Sequence, residues 1–225
     1  EGKFTYDPAK GTVLDAGTHT LTVTFTPTDN KNYNNATKTV MLTVGKTAPM
    51  IDWLTPAAIE YGTPVNEKQR NAVAKDNKGA TIPGKYDYSI AEGTILTAGK
   101  TEMTVTFTPE NTSNYSSAVA SVWITVTKAT PSITWVPGTL SYSQALSEVQ
   151  LNATANVEGK FTYDPAKGTV LDAGTHTLTV TFTPTDNKNY NNATKSVMLT
   201  VGKTAPTIDW LTPAAIEYGT PVNEK

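Results

Sequence analysis

Residues 1–68 and 158–225 are the same sequence except at two positions, Thr39/Ser196 and Met50/Thr207. A catalytic domain has no use for a copy of itself 157 residues away, so the repetition constrains architecture before any motif is considered. A diverged copy lies between the two. Pro49–Trp53 (PMIDW), Pro131–Trp135 (PSITW) and Pro206–Trp210 (PTIDW) mark three starts, and VTFTP at Val23, Val105 and Val180 keeps step with Tyr33, Tyr115 and Tyr190. Trp53 and Trp135 are 82 residues apart, Trp135 and Trp210 are 75 apart. A period that long exceeds a solenoid unit, so each copy must close a small core of its own.

The alternation within each copy predicts strands. Met103, Val105 and Phe107 face inward while Thr104 and Thr106 face water, and Leu21, Val23, Phe25 and Leu178, Val180, Phe182 repeat the pattern. Val122, Ile124 and Val126 define the last strand, as do Val40, Leu42 and Val44. Threonine fills 42 of the 225 positions, which suits the wet face of a strand because its branched Cβ favours extended backbone. The one helical candidate, Glu67–Ala74, is short.

Cutting at each Ala/Thr-Pro start gives four pieces: 1–46, the C-terminal part of a domain; 47–128 and 129–203, two whole domains; and 204–225, the N-terminal part of another. The linkers Gly45-Lys46-Thr47, Lys128-Ala129-Thr130 and Gly202-Lys203-Thr204 are short and run into proline, which predicts a semi-rigid rod. The longer whole copy carries an additional loop, Lys75 to Pro83, which is either a tolerated insertion or a grafted function.

A net charge of -2 supplies no basic field for nucleic acid, and no stretch approaches the length of a membrane span. No signal peptide is visible, and residue 1 falls inside a repeat. The absence of cysteine excludes disulfide staples and thiolate metal sites.

About seven short strands in each copy of roughly 80 residues, separated by turns every 8–12 residues, read as an antiparallel sandwich of immunoglobulin type. Asp29 and Asp186 stand four residues before Tyr33 and Tyr190, with Asn111 in that place before Tyr115, and this resembles a tyrosine corner, in which the phenol bonds back to the backbone. The phrases P-x-I-x-W, IEYGTPV (Ile59–Val65, Ile216–Val222), YDPAKGTVLDAG (Tyr6–Gly17, Tyr163–Gly174) and LTVTFTPTD together resemble the bacterial immunoglobulin-like repeats called MBG domains of the YG-x type. The resemblance covers the whole chain; one copy departs from it, with Tyr142-Ser143 in place of Tyr-Gly. It implies all-β tandem sandwiches from a large secreted or cell-surface protein, often an adhesin, and brings no catalytic residues.

No catalytic, cofactor or metal site is expected. His19 and His176 are one position seen twice, a period apart, and cannot share a metal. Asp7, Asp15, Asp29 and Glu60 recur as Asp164, Asp172, Asp186 and Glu217, scattered singly and without the facing pair that glycoside hydrolysis needs. The loop Asp29–Asn35 has oxygen ligands of the kind calcium accepts, yet a single carboxylate and a central lysine favour Asx turns instead. Trp53, Trp135 and Trp210 read as core or inter-domain contacts, whereas alternation turns Trp123 outward, where the other copies have Met41 and Met198. Lys38, Lys46, Lys128, Lys195 and Lys203 lack the burial that a Lys to Asn cross-link requires. Sequons at Asn35, Asn111, Asn114, Asn152 and Asn192 follow from composition.

The sequence thus predicts a non-enzymatic, extracellular stalk whose partners are neighbouring repeats or copies of itself, with a glycan or protein receptor only at an unseen tip and no cofactor. The alternatives are an adhesive binding module, or a filament subunit whose terminal half-domains are completed by strand exchange. For the half-domains, a window cut from a longer array is favoured over completion by other copies of the chain, because 204–225 joined to 1–46 lacks the segment matching Gln150–Val157.

Overall fold

The computed structural model describes residues 1–223, which form no helix. They form two compact units: Glu1–Ala129 together with Lys188–Tyr190, and Thr130–Asn187 together with the chain from Asn191 onward.

In the first unit, β1 (Gly2–Asp7), β2 (Gly17–Pro27) and β3 (Ala36–Val44) make a three-stranded antiparallel sheet. The sequence from Thr47 onward adds β4 (Met50–Asp52), β5 (Ile59–Glu60), β6 (Val73–Lys75), β7 (Gly84–Tyr88), β8 (Gly99–Pro109) and β9 (Ala118–Thr127). These build a four-stranded sheet, β5-β9-β8-β7, and a two-stranded sheet, β4-β6. Apolar side chains of the two layers meet: Trp53, Val65 and Ala72 close over Met103, Val105, Val122 and Ile124. That is a β-sandwich, and the alternation of the long strands produces it, since Met103, Val105 and Phe107 are all fully buried.

The second unit repeats the design with β10 (Ile133–Thr134), β11 (Leu140–Ser141), β12 (Thr154–Ala155), β13 (Gly159–Asp164), β14 (Gly174–Pro184) and β15 (Ala193–Gly202), in sheets β11-β15-β14-β13 and β10-β12. Trp135, Leu140, Leu146, Leu178, Val180, Leu199 and Val201 form its core. Residues from Thr204 onward form no strand among the described residues, and Ile208, Trp210 and Leu211 lie exposed there.

Three expectations need correction. The sandwiches are not wholly antiparallel: Ile59 pairs with Val126, and Leu140 with Val201, in parallel register. The chain reaches these two-residue strands by crossing from the smaller sheet, so no hairpin dictates their direction. Each complete copy has six strands rather than seven, because Pro64 meets Ile95 in one, and Ala145 meets Val170 in the other, only as isolated bridges between turn segments. The helical candidate Glu67–Ala74 is a single turn followed by β6, with the Asn66 side chain accepting from the Lys68 N–H (2.9 Å) and β6 pairing with β4.

The additional loop also acquires a structural account. The Asp76 carboxylate accepts from the N–H groups of Lys78 (2.9 Å) and Ala80 (2.8 Å), which folds the loop back so that the Ile82 N–H meets the Ala74 carbonyl (2.9 Å). Ile82 is then buried against Ala74 and Phe107. The insertion extends the core.

The Tyr-Gly turns explain the one departure from the repeat. Gly62 has φ 92° and Gly219 φ 88°, and Ser143 adopts φ 71° at the same place. A side chain there is strained, so Ser143→Gly is expected to stabilise the second unit by about 0.5–1 kcal/mol, less whatever the looser unfolded chain takes back. Thermal unfolding of the variant beside the parent checks this.

Candidate functional site

Polar groups inside each sandwich serve the fold. The indole N–H of Trp53 donates to the carbonyl of Gln69 (3.0 Å), and that of Trp135 to Gln150 (2.8 Å). The buried glutamines brace the same turns, Gln69 Oε1 accepting from the Asn66 N–H and Gln150 Oε1 from Ser147. Trp53 and Trp135 are therefore core residues.

Phenols close the edge of each core. Tyr88 accepts from the Ala72 N–H (3.0 Å), Tyr86 from Ala74 (2.7 Å) and Tyr163 from Ala153 (3.0 Å). At Tyr33 and Tyr115 the loop is closed by main chain instead, the tyrosine N–H meeting the carbonyls of Asp29 and Asn111 (both 3.1 Å). The phenol bond expected of a tyrosine corner is thus made by other tyrosines, on β7 and β13.

Burial raises the Tyr88 and Tyr163 phenols above the usual 10.0, the bonded alanine N–H groups opposing it. A raised folded value means the unfolded chain ionises first, so the contribution is intact below about pH 10 and is lost as pH rises through the folded value. Tyr163→Phe is expected to cost about 1–2 kcal/mol at neutral pH by stranding the Ala153 N–H, and the gap to the parent should shrink above pH 10. Urea titrations at pH 7 and in the alkaline range measure both.

The titratable candidates do not converge. His19 and His176 are each bonded through Nε2 to a carbonyl four residues back, Asp15 and Asp172 (both 2.7 Å). Among the described residues no three His, Asp or Glu side chains gather as a metal site would require. Asp29 is held below the ordinary carboxylate value by the Asn32 side chain and N–H, an Asx turn inside the loop weighed for calcium. Lys195 Nζ ends on the Ile133 carbonyl (2.9 Å). Arg70 lies over the Tyr88 ring (4.9 Å) and meets Glu92 (3.1 Å). Trp123 is 53% exposed, as alternation predicted.

Two depressions, one of about 580 Å³ against Phe25 and Tyr33 and one of about 250 Å³ against Tyr6, Val23 and Val40, lie on the sheet β1-β2-β3. The equivalent face of β7-β8-β9 is the one that Ile51, Trp53, Val65 and Ile82 cover. The hollows are thus lined by residues whose counterparts on β7-β8-β9 belong to a core.

One constellation inside the first unit went unread in the sequence. Asn114, in the loop before Tyr115, accepts through Oδ1 from the Ala16 N–H (2.7 Å) and donates through Nδ2 to the Asp15 carboxylate (2.8 Å). Asn189, before Tyr190, accepts likewise from the Ala98 N–H (2.8 Å). Both alanines occupy the turn leading into a long strand, and Tyr61 meets Tyr190 edge-on (5.3 Å). The usable signal was Asn preceding Tyr in all three copies, at Asn32, Asn114 and Asn189.

The fold so described is an all-β protein of β-sandwich units. No protein-family model matches the chain, and no curated protein matches it. Among solved structures it is similar to the fibronectin(III)-like modules of Clostridium thermocellum CbhA (12% identity, 68% of this chain, 95% of that one, TM-score 0.24). It is also similar to Sidekick-1 immunoglobulin domains 1–5 (13% identity, 87% of this chain, 47% of that one, TM-score 0.30) and to Drosophila N-cadherin EC1-4 (13%, 85%, 60%, 0.25). No helix of the described residues is long and apolar enough to cross a membrane.

Proposed function

We propose that this chain is a non-catalytic structural segment: tandem sandwiches of immunoglobulin type, of the MBG kind, serving as a stalk or spacer in a large extracellular protein. The observation that carries the reading is the linker. Thr47 donates its N–H to the Asn114 carbonyl (2.9 Å) and accepts from the Ser116 N–H (3.1 Å), so the chain passes from one repeat to the next through sheet-like hydrogen bonds. A linker held in that way resists swinging, and tension along the chain is borne by the β9 ladder, which pairs with both β8 and β5.

Pulling single molecules of the 225-residue chain tests this. The expected trace has discrete unfolding events releasing roughly 250–290 Å of contour each, from repeats of 75 and 82 residues. Smooth extension without events would overturn the stalk, and so would saturable glycan or receptor binding that Trp123→Ala abolishes.

A second reading rests on matched surfaces. The sequence from Thr204 to Asn223 equals 47–66 except for Met50/Thr207, and in the first unit Ile51, Trp53 and Val65 of that stretch cover a sheet equivalent to β1-β2-β3. A second copy supplying Ile208 and Trp210 to that face would give head-to-tail association. Sedimentation equilibrium that finds only monomer at rising concentration would overturn it.

A further inference from the structure

The asparagine before each loop tyrosine follows a pattern that folding of its own repeat does not explain. Asn114 and Asn189 are drawn in, half-buried and 7% exposed, and each holds the N–H of an alanine 98 or 91 residues away. Asn32, with the same local sequence, is exposed and turns its Nδ2 onto Asp29 of its own loop (2.8 Å). The acceptor turns vary in the same sense: Ala16 and Ala98 are half-buried, and Ala173, in a turn identical in sequence to that of Ala16, is exposed.

We propose that these groups are the plug and socket by which one repeat fixes the next: the carboxamide of the Asn-Tyr loop caps the alanine N–H in the turn of the repeat before it. Asn114 is the plug for the socket Asp15-Ala16, and Asn189 the plug for Ala98. Asn32 is a plug, and Asp172-Ala173 a socket, for a further repeat of the same kind. The chemistry suits a joint. A carboxamide offers one acceptor and two donors on a short, stiff side chain, and the turn presents a main-chain N–H with no β partner of its own. Two bonds from one planar group fix a direction as well as a distance, which a purely apolar contact between domains does not do.

Asp15 receives the second bond from Asn114, and Asp172 holds the same position in the last copy, where the middle copy has Thr97. Asn114 also begins a sequon, Asn-Tyr-Ser, and with both carboxamide atoms engaged it is closed to glycosylation once the joint has formed.

The inference deepens the stalk reading, but its test is separate. Amide hydrogen exchange on the 225-residue chain compares three equivalent N–H groups without any substitution. Ala16 and Ala98 are expected to exchange at least about tenfold more slowly than Ala173. Asn114→Ala should bring Ala16 to the rate of Ala173 while leaving Ala98 and the Thr104 amide of β8 unchanged. Asp15→Ala should keep most of the protection at Ala16. In the parent, residual dipolar couplings from β1-β2-β3 and from β7-β8-β9 should fit one alignment tensor, and in Asn114→Ala two. Equal exchange at all three alanines in the parent, or one shared tensor surviving Asn114→Ala, overturns the joint. Either result leaves the pulling experiment free to succeed, and smooth extension in that experiment leaves the exchange pattern standing.

Discussion

Phe182→Ala should destabilise the second unit by about 3–5 kcal/mol, read from urea unfolding followed through the fluorescence of Trp135. Phe182 is fully buried in β14, its ring 4.8 Å from that of Phe161 across the β13-β14 ladder. Truncation removes about 100 Å³ of side chain from a site walled by strands on either side, where backbone hydrogen bonds oppose collapse. Phe107→Ala should cost about as much, since Phe107 is equally buried and also supports Ala74 and Ile82. Phe25 supplies the internal control. It makes the same tilted contact with Phe4 at 4.9 Å, but it is only half-buried and lines a hollow on its own face of the sheet, so Phe25→Ala should cost less than half as much. Equal losses at all three positions would mean that the cross-strand ring pair, and not burial, carries the energy.

Much of this was legible because strand side chains alternate with period 2. Met103, Val105 and Phe107 had to share a face, and their apolar character chose which one. Turn chemistry was equally readable, since Gly62 and Gly219 take positive φ where Tyr-Gly was seen, and Ser143 is forced into the same geometry. The parallel pairs of β5 and β11 were hidden because a two-residue strand has no period to read. The insertion at Lys75–Pro83 looked like decoration because its one apolar anchor, Ile82, sits among turn residues. The Asp-to-Tyr spacing was real, but its meaning changed, because the main-chain bond from Tyr33 to Asp29 already closes the loop. Asn114 was the hardest to see. An asparagine in a turn always has a local explanation, and its true partner lies 98 residues earlier in the chain.

Gly159→Ala should cost about 3 kcal/mol or more, an effect that propensity alone does not predict. Its φ is not positive, so the added methyl is not excluded by the backbone; it is excluded by space. A Cβ there would lie 2.4 Å from the Thr183 carbonyl oxygen and 2.5 Å from Cζ of Phe182, and neither can retreat. Thr183 is fixed by pairing with Lys160, and the Phe182 ring is the fully buried one whose loss was just considered. Overpacking against such atoms sits at the upper end of its usual 1–3 kcal/mol range or beyond it. Gly168→Ala separates this cause from glycine's conformational freedom. Gly168 has φ 92° and nothing within 4 Å of an added Cβ, so only the left-handed backbone is strained, and about 1 kcal/mol is expected. Gly84→Ala should match Gly159→Ala, because its Cβ would meet the Thr108 oxygen at 2.4 Å and the Phe107 ring at 2.5 Å. If Phe182→Leu relieves Gly159→Ala in a double mutant, the strand's close approach to that ring is what fixes glycine at the head of each of these strands.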